Sequence, residues 1–307
     1  GSEKVFVSKI NIFGNNVTKE SVIRNQLELD EGDPFNKILA TKSINNLKGL
    51  NFFRNVELEI LDKDKGLKEL NIAVEEKPTG EITAGAGVGT SGGTIGFGIK
   101  ENNYLGSGIK LDANMTITED SIKGLFSVNN PNYKNTDKSF YTTIQATEVN
   151  KLSDFGYKTG KTGFSFGTGF EYYKDLNFGL GLNTFYETIE ADSSASARQK
   201  DQAGNYFDMF VNLKFDYDKR DQVFQPTDGF RSRYSTDVPL ISDSNTFSNT
   251  YTFSNYFQYL EKNVFKSSLF LKATTSIKGE NVKLSERIYI PGSKLRGFEF
   301  GKIGPKD

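Results

Sequence analysis

The residues of greatest chemical consequence in this chain are small. Between Glu81 and Gly89, Ile82, Ala84, Ala86 and Val88 alternate with Gly85, Gly87 and Gly89. Glycine weakens a strand interior, because it is entropically costly to order and offers no side chain to pack. A strand of this kind can open and leave backbone N–H and C=O groups unpaired. Such groups cannot stay unsatisfied in hydrocarbon. An extended segment from another chain can satisfy them by adding as a further strand. The chemistry on offer is hydrogen-bond templating. The same glycines do not form a phosphate-cradling loop, since they lie within the strand.

Bond-making chemistry has little to rest on. The 307 residues include no histidine and no cysteine. That removes the usual general base and the commonest metal ligand, along with any disulfide framework or thiolate zinc site. No catalytic, cofactor-binding or metal-binding residue stands out, and the chain is expected to be no enzyme and to need no cofactor. With 38 basic and 39 acidic residues, no global field draws nucleic acid. The mean hydropathy is −0.50, and no run of about 18 apolar residues marks a membrane-spanning helix. A transmembrane barrel remains open, because alternating strands average their hydrophobicity away. The opening Gly1-Ser2 reads as a cloning remnant, which places the native N-terminus upstream.

The hydrophobic period changes once, at Glu75-Glu76-Lys77-Pro78. Before it, Val5 to Phe13 alternates as a strand and ends at Gly14-Asn15. Thr18 is placed to cap a helix carrying Val22, Ile23 and Leu27, closed by Gly32. A second helix from about Asn36 carries Ile38, Leu39, Ile44, Leu47 and Leu50 on one face. Strands from Val56 to Leu61 and Leu67 to Val74 follow, joined by the turn Lys63-Asp64-Lys65-Gly66. The order β-α-α-β-β predicts three strands covered on one side by two helices. Val56, Leu58 and Ile60 mark an edge strand to which an extended peptide could add, blunted by Glu57 and Glu59.

After the switch, period-two alternation predicts eleven strands at about 80–89, 94–101, 108–118, 121–129, 138–149, 161–173, 176–190, 206–217, 229–239, 249–260 and 267–278. The third sets Ile109, Leu111, Ala113, Met115 and Ile117 against Lys110, Asp112, Asn114, Thr116 and Thr118. The eleventh sets Leu269, Leu271, Ala273, Thr275 and Ile277 against Lys272, Thr274 and Ser276. Soluble strands average about 5–6 residues, whereas tilted membrane strands need about ten. Asp175 nearly alone separates two strands, while Ala191 to Asn205 separates the next pair. Short turns on one rim and long loops on the other suit a barrel, although Asp218 to Asp228 is not short. Turning Lys110 to lipid costs about 2–4 kcal/mol, so the charged face belongs inside.

The first block resembles a POTRA domain, the periplasmic module of the Omp85 superfamily. The matching residues are Ile10-x-Ile12-x-Gly14-Asn15, Thr18, Ile23-Arg24, Gly32-x-Pro34-Phe35, Leu50-x-Phe52-Phe53-x-x-Val56 and Val74-Glu75-Glu76-x-Pro78. Further stretches resemble the same superfamily in the expected order: Glu101-Asn102-Asn103-Tyr104-Leu105-Gly106-x-Gly108, Asn130-Pro131-Asn132-Tyr133, Asp218-x-Arg220-Asp221 and Pro226-Thr227-Asp228-Gly229. Leu295-Arg296-Gly297-Phe298, with Ile303-Gly304-Pro305 downstream, is similar to the signature of the sixth outer loop.

The resemblance implies an α+β POTRA domain at 3–78 and antiparallel transmembrane β-barrel strands at 79–307, about eleven of roughly sixteen. With the first domain in the periplasm, odd strands end at the cell exterior. The chain is then expected to stop within the sixth outer loop, short of a closed barrel. The resemblance further implies that this loop folds back inside, with Arg296 bonded to inner-wall acids. A guanidinium meets a carboxylate through two parallel hydrogen bonds, which fixes direction as well as energy. The family's partner acids lie on later strands, so Asp112, Glu171 and Asp208 are the candidates here.

The function so implied is assembly and insertion of outer-membrane barrel proteins by strand templating at an openable seam. The implied partners are the outer-membrane bilayer, unfolded barrel substrates and periplasmic lipoprotein subunits, with no nucleic acid. A pore secreting a partner polypeptide, or another factor of the same superfamily, is the first alternative. A passive porin or receptor barrel is the second.

Overall fold

Alternation in the first block forms a small sheet. In the computed structural model, β1 (Phe6–Phe13) runs parallel to β3 (Leu67–Glu76), and β2 (Phe53–Lys63) pairs antiparallel with β3. The structure describes residues 5–63, 66–89, 92–222, 225–243, 245–260, 263–279, 282–283 and 286–288. Two helices, α1 (Glu20–Arg24) and α2 (Lys37–Gly49), complete the predicted β-α-α-β-β order. Val7, Ile10, Ile23, Leu47, Phe52, Val56, Leu70 and Ile72 form the buried core. Asn36 caps α2, its side-chain oxygen accepting from the Ile38 amide at 2.8 Å. Gly14 adopts φ +86°, and a Cβ there would overlap the Val74 carbonyl, so this turn requires glycine.

Three local expectations are corrected. Thr18 does not cap α1: the cap position is Lys19, with no side-chain cap bond, and the helix ends at Arg24 rather than running to Gly32. The Thr18 hydroxyl is instead engaged by a residue far along the chain. Ile38 lies off the buried face of α2 and is 78% exposed, because Ala40, Ser43 and Leu47 set that face.

After Pro78 eleven strands form one antiparallel sheet in sequential order. They are β4 (Gly80–Gly89), β5 (Gly92–Tyr104), β6 (Ile109–Thr118), β7 (Ser121–Asn130), β8 (Ser139–Lys151), β9 (Tyr157–Tyr173), β10 (Leu176–Ala191), β11 (Gly204–Asp218), β12 (Gly229–Ser242), β13 (Thr246–Leu260) and β14 (Asn263–Ser276). Each overlaps a predicted strand. Two stacked layers are excluded, since all eleven share one sheet and Leu271 is 55% exposed. Short helices α3 (Leu152–Phe155) and α4 (Ala197–Asp201), absent from the sequence reading, occupy two connections. The expected division into short turns and long loops does not hold. Residues 192–203 are long, as predicted, but 131–138 and 219–228, at the opposite end of the strands, are long as well.

The chain packs as two compact units. The first joins residues 1–83 to 98–113 and 127–140, and the second holds the rest. This grouping follows packing rather than the change of hydrophobic period.

Within the second unit the two faces of the sheet differ sharply. On β11, Phe207, Met209, Val211, Leu213 and Phe215 share one side, while Asp208, Asn212, Lys214 and Asp216 share the other with a single buried phenylalanine, Phe210, among them. The register continues the split: Asp216 lies opposite Arg233 and Asp218 opposite Arg231, while Phe215 faces Tyr234.

Candidate functional site

β4 is a terminal strand of the large sheet, and among the described residues β5 is its one neighbour. Ile82 and Val88 are 81% and 92% exposed. A Cβ at Gly85 or Gly87 would meet no heavy atom within 4 Å. The predicted seam residues Ile82, Ala84, Gly85, Ala86, Gly87 and Val88 therefore lie together along the terminal strand of the described sheet. A strand with one free edge can accept a new partner through its backbone.

The loop motif Leu295, Arg296, Gly297 and Phe298 lies outside the described residues. One of its three candidate partners is nevertheless occupied by a different cation. Asp208 and Glu187 on the polar face are each 1% exposed. The Lys283 ammonium lies 2.6 Å from Asp208 and 3.3 Å from Glu187, and 4.4 Å from the centre of the Tyr206 ring. Ser242 Oγ donates to the second oxygen of Asp208 at 2.5 Å. Glu286 accepts from Thr246 Oγ1 at 2.7 Å. Glu171 is engaged in the turn after β9, where it accepts from the Asp175 amide at 2.6 Å. Sequence reasoning missed Lys283 and Glu187. The signal for Glu187 was its register, since it lies opposite Tyr206 and on the same face as Asp208.

The faces of the second unit carry further order that the sequence reading did not reach. On the apolar face, Phe170, Phe178, Phe215 and Tyr234 form a row with centroid separations of 5.7, 5.2 and 6.4 Å. Tyr217, Phe230 and Phe253 form a second row at 5.6 and 5.9 Å. On the polar face, Arg231 meets Asp216 through two donors, one at 2.9 Å. Asp237 accepts from Asn212 at 2.7 Å. Tyr141 lies over glycines: a Cβ at Gly167 would come within 2.6 Å of its hydroxyl, and one at Gly181 would collide with the same atom.

In the first unit, Thr18 is gripped by the turn after β5. Asn103 donates to the Thr18 hydroxyl at 2.8 Å and accepts from the Gly108 amide at 2.8 Å. The Lys19 amide donates to the Gly106 carbonyl at 2.8 Å. Glu76 accepts from the amides of Val17 and Thr18 at 2.9 and 2.6 Å. Burial acts to raise the Glu76 carboxyl, but hydrogen bonds from Thr18, Val17 and Asn16 outweigh it and hold the group below its usual value. On β2, Val56 is buried and Leu58 and Ile60 pack against the core, so this edge has only its backbone to offer a peptide.

A POTRA-type sheet followed by membrane-length strands with one apolar and one charged face defines a class, and comparison with known proteins assigns it. A family model described as "Omp85 superfamily domain" matches residues 103–307, and a POTRA model, described as "Surface antigen variable number repeat", matches residues 5–77. The chain belongs to the Omp85 superfamily. It is similar to the outer membrane protein assembly factor BamA of Neorickettsia risticii, with 25% identity over the whole chain and 42% of that protein. BamA of Nitratidesulfovibrio vulgaris is 23% identical over 99% of this chain and 39% of its own length. The chain thus spans about two-fifths of these curated relatives. Among solved structures, BamA from Haemophilus ducreyi lacking POTRA domains 1–3 superposes with a TM-score of 0.75 at 23% identity, over 99% of this chain and 62% of that one. CdiB from Acinetobacter baumannii gives 0.58 at 13%, over 96% and 57%.

Proposed function

We propose that the chain belongs to the central subunit, contributing one POTRA domain and eleven barrel strands, of a machine that folds and inserts β-barrel proteins into the bacterial outer membrane. The apolar face of the large sheet meets lipid and the POTRA domain lies in the periplasm. An unfolded barrel protein presents an extended segment to β4 and pairs with its free backbone groups. Each added strand then offers a new edge to the next. Burial of the substrate's apolar face in lipid supplies the free energy, so no nucleotide site is required. Periplasmic lipoprotein subunits are natural partners for the POTRA surface.

The observation that carries this reading is the glycine-rich build of β4, where Gly85, Gly87 and Gly89 leave little side-chain packing to hold the strand in a closed seam. Photo-crosslinkers at 82, 84, 86 and 88 should trap a stalled substrate, whereas one at Leu180 in mid-sheet should not. Absence of adducts along β4 sinks the template role. A secretion pore for one partner polypeptide is the second reading, favoured by the shared fold with CdiB. Depletion in cells separates the two. General loss of outer-membrane barrels supports assembly, and loss of one exported protein supports secretion.

A further inference from the structure

Lys283 follows β14, yet its side chain is 5% exposed and sits among groups from β10 and β11. Desolvating an ammonium is expensive unless its donors find acceptors. Here they find Asp208 and Glu187, each itself buried, beneath the ring of Tyr206. Three residues later Glu286 takes the hydroxyl of Thr246 on β13, which is also buried. The segment is therefore tied down twice, on different strands, before the chain reaches Leu295.

We infer that Lys283 is a positioning residue, an anchor that fixes the segment after β14 to the polar face independently of Arg296. The anchoring itself needs only the contacts above. Its importance for substrate insertion rests on the function proposed in the preceding subsection.

Because the chain has no cysteine, a single V282C reports on the segment through its reaction with a water-soluble maleimide in the intact, membrane-reconstituted protein. Lys283→Met leaves two buried carboxylates without this ammonium, and labelling should rise on the order of a hundredfold. Lys283→Arg keeps the charge and should stay within about threefold of the parent. Insertion of a barrel substrate into proteoliposomes should slow about tenfold in the methionine variant and recover in the arginine variant. In an Arg296→Ala background, Lys283→Met should raise labelling by the same factor, as independent anchors do. Thr246→Val cuts the second tether and leaves the Lys283, Asp208 and Glu187 cluster intact, and gives the same readout if the methionine variant does not fold.

Unchanged labelling in Lys283→Met, or in Thr246→Val where the methionine variant does not fold, overturns the inference. So does an effect of Lys283→Met that vanishes in the Arg296→Ala background. Faster labelling with no crosslinks along β4 leaves the anchor standing and removes the templating reading.

Discussion

Asp221 governs a whole connection from one carboxylate. It accepts from the Thr227 hydroxyl at 2.6 Å, the Thr227 amide at 3.0 Å and the Asp228 amide at 3.2 Å. The Thr227 hydroxyl is the largest influence, and the carboxyl is held down at about 2. A depressed folded-state value means the stabilisation is complete above the unfolded carboxylate range, near pH 4. It is lost as pH falls toward 2. Protease nicking within residues 219–228 should therefore increase in the parent protein between about pH 4 and 2. In Asp221→Asn nicking should already be high at neutral pH and lack this acid step. The sequence contained both halves of this contact, Asp218-x-Arg220-Asp221 and Pro226-Thr227-Asp228-Gly229, as separate stretches. It did not show that one holds the other. The same limit explains Asp208, where alternation identified the face and the acid but not the cation that reaches it. Periodicity assigns a residue to a side of a strand, and its partner depends on where a distant loop lands.

Among elements, the turn between β5 and β6 is the most constrained. Leu105 and Gly106 both have positive φ, at 50° and 68°. A Cβ at Gly106 would overlap the Val17 carbonyl. Gly106→Ala combines backbone strain with that clash and should weaken the grip on Thr18 by about 1–3 kcal/mol. Hydrogen exchange at the amides of Val17 to Val22 should speed up accordingly, while core amides such as that of Ile72 stay protected. Equal protection in variant and parent would show that the turn does not hold this segment. Strand alternation was legible in the sequence because it is local, and β4 was placed to its end residues. Thr18 was misread for the same reason. Its type and position suit an N-cap, and only packing brings Asn103, 85 residues away, to its hydroxyl.

For the whole molecule, the two aromatic rows matter most. They lie on the apolar face toward the 174–175 and 219–228 connections. Aromatic girdles sit at the boundary between hydrocarbon and headgroups. The chain has no tryptophan, so Phe215→Trp and Val211→Trp are clean depth reporters in bilayers. Phe215→Trp should be quenched best by bromines high on the acyl chains, and Val211→Trp by bromines deep on them. Equal quenching of both by shallow bromines would place β11 on the membrane surface rather than through it. Composition gave no hint of the rows, because 26 phenylalanines carry no order until the strand register aligns them. The polar face imposes a historical constraint of its own. With Tyr141 pressed over Gly167 and Gly181, a lineage cannot gain a methyl at either glycine while keeping the ring in place. A side chain at Gly181 therefore requires a shifted ring or a smaller residue at 141, whereas Gly167 is closed by the Leu180 carbonyl as well and stays glycine whatever stands there.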